Sequence, residues 1–372
     1  MNCTEEYVTV AEAARRTGVS VKALKIYEQR GLIAPARTEA GWRVYGPDER
    51  ERLRDIATLR GLGFSLASVG DILAGETDAM DAALAHHAET LSARLEDVGE
   101  QIARVQALRR DIASGRRPDA GELTAIVVEH TAPRLAFDLP WPWGGERFEL
   151  AAVRPLTYIV GPLGSGKTRL ARRIADAWPG AVFSGLDRAE ISADALHQRH
   201  KADPARAERV ERGLEWLDGE GANASHALAC LVDALEHPDA TALVIDMVEQ
   251  DLDAPTQEAI AGFLKMRASI RRPVFALTRS SAVLDLAAVG EGEGIVFCPA
   301  NHAPPLLVQP VPGGRGYEGV ASCLATPEVR ARTAGVIAWR PPEPDAGAPR
   351  GGAVGCGSTQ ASAVTDWDVP PA

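Results

Sequence analysis

The stretch LTYIVGPLGSGKTRLARRIADAW, residues 156–178, runs from an apolar segment through a glycine-rich turn into an amphipathic pattern. Leu156 to Val160 suits a buried β-strand, and Leu170, Ile174 and Ala175 recur at helical spacing. Between them stand Gly161, Pro162, Leu163, Gly164, Ser165, Gly166, Lys167 and Thr168, a full G-x-x-x-x-G-K-T pattern in the strand–loop–helix context that it requires. Its glycines let backbone N–H groups converge on phosphate oxygens at a helix N-terminus. Lys167 can reach the β- and γ-phosphates, and Thr168 can ligate Mg²⁺. Residues 161–169, including Arg169, are therefore the nucleotide-binding candidates, with ATP and Mg²⁺ as the expected cofactors.

Outward from this loop, GAVFSG (180–185), ALVID (242–246), PVFALT (273–278) and GIVFC (294–298) read as further buried parallel strands separated by helices. An α/β domain over 129–340 follows. A magnesium-associated acidic residue should end a neighbouring strand, and Asp246 suits that place, so Thr168 and Asp246 are the metal candidates. The stretches ALVIDMVEQDLDAPTQ (242–257) and FALTRSSAVLD (275–285) resemble the ABC-type ATPase group, particularly its compact non-transporter members. That resemblance implies a catalytic glutamate after Asp246 and a histidine contacting the γ-phosphate after Thr278. Met247 and Arg279 occupy those two places. A thioether cannot accept a proton from water, whereas an arginine fork suits phosphate oxygens. Glu249, two residues beyond Met247, is the substitute catalytic candidate, its direction open at this stage. The group's signature segment is matched in LDGEGANASHALACL (217–231) only at Gly219-Glu220. Trp141 and Trp143 either stack a base or cover the sheet edge. His197 and His200 form half a metal site or a solvated helix face.

Upstream, TVAEAARRTGVSVKALKIYEQRGLI (9–33) holds two short helices joined at Gly18. Thr9 with Glu12 forms a capping-box pattern, Ser20 caps the second helix, and Leu24 and Tyr27 face inward. A β-hairpin around Glu39-Ala40-Gly41 follows, then helices starting at Pro47 and Ser65. Leu84, Leu91, Val98, Val105 and Ile112 fall seven apart, with Ala88, Leu95 and Ile102 interleaved, which is the seam of a two-chain coiled coil. Residues 1–77 thus form a winged helix-turn-helix domain, 78–113 a dimerisation helix, 114–128 a linker, and 341–372 a Pro/Gly/Ala/Ser-rich tail expected to be disordered.

The first domain, with its GV-S, Y-E-x-x-G-L and G-x-R-x-Y elements in order, resembles the N-terminal domain of MerR-family transcription regulators. One departure is Lys25-Ile26, where that family shows arginine followed by an aromatic. The resemblance implies a homodimer on a two-fold-related promoter, working with RNA polymerase. The DNA-binding candidates are Ser20, Val21, Lys22, Lys25 and Tyr27 on the second helix, and Arg37, Trp42, Arg43 and Tyr45 on the hairpin.

The formal charge of -11 is unevenly spread. Residues 1–75 hold eleven Lys/Arg against ten Asp/Glu, so the acidity lies in the remainder. No apolar run of membrane-spanning length is present, no secretion signal is expected, and five scattered cysteines read as free thiols, which points to the cytoplasm. The expected function is a DNA-binding regulator controlled by bound ATP with weak or no hydrolysis. The alternative is a P-loop ATPase or small-molecule kinase fused to its own regulator, with Asp187 orienting the acceptor hydroxyl.

Overall fold

The computed structural model describes residues 7–76, 105–116 and 133–332, together with single helical positions between 84 and 103. The chain divides into a unit spanning Met1–Val336 and a second spanning Ile337–Ala372. The expected tail, most of the linker and the seam positions Leu91 and Val98 lie outside the described residues.

In the N-terminal part, β1 (Val8–Thr9) is followed by α1 (Val10–Thr17) and α2 (Val21–Gln29). Thr9 caps α1 by accepting from the Glu12 amide, Gly18 ends it in the left-handed region, and Ser20 accepts from the Ala23 amide to start α2. The Glu12 carboxylate turns instead to Arg15 and Arg16, so only half of the capping box forms. The wing is β2 (Ala36–Arg37) and β3 (Arg43–Tyr45), with β3 also paired to β1. Helices α3 (Pro47–Gly61) and α4 (Leu66–Ala74) close a core of Leu24, Tyr45, Leu53, Ile56, Phe64 and Val69.

At the described seam positions the chain is helical, and Leu84, Leu95, Ile102, Val105 and Ile112 are all exposed in the single chain. An apolar row of this kind is what a second copy of the helix covers.

The larger domain begins with a hairpin absent from the sequence reading, β4 (Leu135–Asp138) and β5 (Arg147–Leu150). The strand β6 (Leu156–Val160) leads into α5 (Lys167–Ala177) and β7 (Ala181–Ser184). A short 3₁₀ turn (Leu186–Glu190) and the helices α6 (Ala193–Ala202), α7 (Pro204–Gly219) and α8 (His226–Leu235) precede β8 (Ala242–Ile245). Then come α9 (Ala254–Arg267), β9 (Val274–Leu277), β10 (Glu293–Phe297), β11 (Leu306–Val308), α10 (Tyr317–Cys323) and α11 (Pro327–Ala331). The sheet order is β11-β10-β6-β9-β8-β7, parallel except for β11. All five expected strands are present. Asp246, however, ends a strand separated from β6 by β9, and Arg279 follows the end of that intervening strand. Both sheet faces are covered. Leu217, Leu231, Ile260 and Phe263 pack on one side, and Phe137, Phe148, Leu170 and Ile174 on the other. The helices therefore leave the carboxyl ends of the strands as the open edge, where ligands of such sheets bind.

Candidate nucleotide and DNA sites

The phosphate loop is fixed by glycine geometry. Gly164 and Gly166 take φ of 77° and 90°, which a side chain would strain. A Cβ on Gly161 would strike the Cys298 carbonyl, and one on Gly166 would lie 2.7 Å from the Trp143 ring. Trp143 is buried under the loop and donates its indole N–H to the Ala303 carbonyl at 3.1 Å. This tryptophan packs in the core beneath the loop. Trp141 does not: it is 68% exposed, and the Arg169 guanidinium lies 4.4 Å above its ring. His302 lends a further ring nitrogen to the Gly164 carbonyl at 3.0 Å.

Lys167 is buried, with its Nζ donating to the Gly161 and Pro162 carbonyls at 2.7 Å each. Burial pulls its pKa down and pushes that of Asp246 up. The Thr168 hydroxyl donates to Asp246 Oδ2 at 2.8 Å, so the two metal candidates share one place. Cys298, whose thiol burial pushes up to about 12, stays neutral beside Lys167. Ser165 Oγ in the loop and Arg279 Nε at the next strand end are buried without a hydrogen-bond partner. A cradle of backbone amides, a lysine, two unpartnered donors and a Thr–Asp pair fits a nucleotide phosphate with Mg²⁺.

After Asp246 the backbone turns through Met247 at φ 48°. Arg188 holds that turn by donating to the Asp246 carbonyl at 2.6 Å and the Met247 carbonyl at 2.5 Å. Nothing in the sequence marked Arg188, because its partners lie some sixty positions away. The turn carries Glu249 inward: Oε1 accepts from the Arg279 amide at 2.8 Å and meets Arg330 at 3.2 Å. Glu249 is buried, and its carboxylate braces the end of β9.

His200 is engaged with Asp233 and His197 is exposed, and among the described residues no cluster of three or more His, Cys, Asp or Glu side chains is arranged to hold a metal. Cys230, Cys298 and Cys323 are free thiols.

On the DNA-reading side, Val21 and Lys25 project from α2 and Trp42 from the hairpin tip, all exposed. Arg37 and Arg43 both bind Glu28, at 2.8 and 2.5 Å, which ties the wing to the recognition helix. Two candidates are corrected. Tyr27 and Tyr45 are core residues, their rings packed among Leu24 and Leu53 and their hydroxyls raised by burial, so neither forms the surface that meets DNA.

Residues 8–76 match the MerR HTH family regulatory protein model, and residues 50–114 match a second, described as MerR, DNA binding. The heavy metal-dependent transcription regulator 2 of Rhizobium meliloti (strain 1021) is 34% identical over 128 residues, covering 32% of this chain and 86% of that protein. The chain belongs to the MerR family. As a MerR-family chain it carries a DNA-binding domain of a transcription regulator. The nodulation protein NolA of Bradyrhizobium elkanii is 36% identical over 110 residues, 28% of this chain, which spans about half of NolA (47%). The MerR matches end near residue 114, before the phosphate loop. Over the larger domain an ATP-binding cassette of an ABC transporter in its ADP conformation aligns with 54% of this chain and 98% of its own, at 15% identity and a TM-score of 0.34. No helix among the described residues is long and apolar enough to cross a membrane.

Proposed function

We propose that this MerR-family chain is a homodimeric, cytoplasmic regulator of promoter DNA whose activity is set by ATP and Mg²⁺ held in its P-loop domain, with little or no hydrolysis. The observation that carries the reading is the Thr168–Asp246 contact beside buried Lys167, with Met247 in the next position. Gly161, Pro162, Leu163, Gly164, Ser165 and Gly166 would line the phosphates, Thr168 and Asp246 would hold the metal, and Arg279 would face the terminal phosphate. Trp141, backed by Arg169, offers an exposed ring for the base. Glu249 positions Arg279 in this reading and does not serve as the base. RNA polymerase is the further partner that the family likeness suggests. The direct experiment is ATP binding by calorimetry together with phosphate release. Tight binding with slow release supports a sensor, and acceptor-stimulated release supports a fused kinase.

Two further results are expected. Replacing Leu95 and Ile102 by Asp should convert the dimer to monomer in sedimentation velocity at micromolar concentration, because a charge buried unpaired in an apolar seam costs several kcal/mol. Arg43→Ala should weaken binding to all duplexes and reduce the slope of log K against log salt by about one. Lys25→Ala should instead cost about 1–3 kcal/mol on the preferred sequence alone, read by fluorescence anisotropy.

A further inference from the structure

We infer that the DNA-reading domain is latched onto the P-loop domain by Glu220, and that this docked form is the weak DNA binder. Glu220 follows the last residue of α7 and its side chain is only 6% exposed. Its Oε1 accepts from the Leu66 amide at 2.7 Å, in the first turn of α4, and pairs with Arg60 at the end of α3. Its carbonyl accepts from Arg30, just past α2, at 2.5 Å. One turn earlier, the Trp216 indole donates to the Gly63 carbonyl at 2.9 Å and lies under the Arg60 guanidinium.

Backbone contact at this joint is close. A Cβ on Gly219 would lie 2.5 Å from Ser65 Oγ and 3.0 Å from Ser65 Cβ. A carboxylate taken out of water needs such partners, and these come from the reader, the Arg60 guanidinium and the helix-start amide of Leu66, while Arg30 holds the carbonyl of the same residue.

The second half of the latch acts on the reading helix itself. Lys22, on the first turn of α2, pairs with Glu258 of α9 at 3.3 Å. The helix is thus held at both ends, Arg30 on Glu220 and Lys22 on Glu258. DNA phosphates approaching Lys22 would have to displace a carboxylate and come close to it, an arrangement that opposes association. The two halves share one anchor. Asn223 donates its backbone N–H to Thr256 at 2.9 Å and its side chain to Asp253, the cap of α9. The latch rests on the MerR identity and not on the nucleotide reading, so its test contains no nucleotide.

The experiment uses the full chain, with hydrogen exchange at the Leu66 amide and anisotropy of a labelled random-sequence duplex at fixed salt. Gly219→Leu keeps a helix-compatible backbone in the P-loop domain and wedges Ser65 away. It should lose Leu66 protection and bind the duplex about tenfold more tightly, within the usual range of coupling between sites. Glu258→Gln, at an exposed position on α9, should tighten binding several-fold more than Glu211→Gln, an exposed charge-matched control. The proposal is overturned if the wild-type Leu66 amide exchanges freely or if Gly219→Leu undocks the reader without tightening binding. It also fails if the two glutamine variants behave alike. If Gly219→Leu does not fold, the glutamine pair decides.

Discussion

Met247→Glu is expected to raise ATP hydrolysis about 10²–10⁴-fold, the contribution typical of a general base. The position directly follows Asp246, and its backbone, at φ 48°, is already held open by Arg188 on the Asp246 and Met247 carbonyls. The turn is therefore built before the substitution, and only the carboxylate is added. Phosphate release under saturating ATP is the measurement. A variant that binds ATP and hydrolyses it no faster would mean that the site lacks more than a base. Glu249→Gln is the companion. Because Glu249 accepts the Arg279 amide, the variant should weaken ATP binding and leave the slow wild-type hydrolysis in place. Brisk wild-type hydrolysis abolished by Glu249→Gln would make Glu249 the base after all.

The second large effect is Lys167→Ala. The ammonium is buried in the loop and donates to the Gly161 and Pro162 carbonyls, so an incoming phosphate would replace neutral acceptors with an ionised one. Such a contact is worth about 1.5–3 kcal/mol, so ATP affinity should fall roughly 10–100-fold. Isothermal titration calorimetry reads the loss, and an unchanged melting transition shows that the fold is intact. Any influence of ATP on DNA binding should disappear with it. Undiminished ATP affinity would move the nucleotide elsewhere.

Much of this site was legible because its information is local. The run from Leu156 to Ile174 carries strand, turn and helix in one short segment, and the motif names its own chemistry. The reader was legible for the same reason: Ser20 and Gly18 announce α2 and the end of α1, and both act as expected. What escaped reading depends on partners far away in sequence. Glu220 meets Leu66 across 154 positions and Arg188 meets Asp246 across 58, and no periodicity encodes either. Glu249 was ambiguous because its direction is set by the left-handed turn at Met247. Tyr27 and Tyr45 were mixed cases, since a tyrosine pattern does not say whether its hydroxyl reaches the surface. The hairpin β4–β5 was missed because LAFD and RFEL, four residues each, alternate too briefly to stand out.

The proposed coupling of nucleotide and DNA through this chain must be reciprocal. It is tested most directly by titrating the full chain against a duplex that it selects from a random library, with and without saturating Mg²⁺-ATP at one salt concentration. A shift in DNA affinity of about 5–150-fold is expected, and at the ATP concentration that just saturates the wild type Lys167→Ala should reduce it sharply. Identical DNA affinities with and without ATP, in a protein shown by calorimetry to be saturated with it, would rule that coupling out.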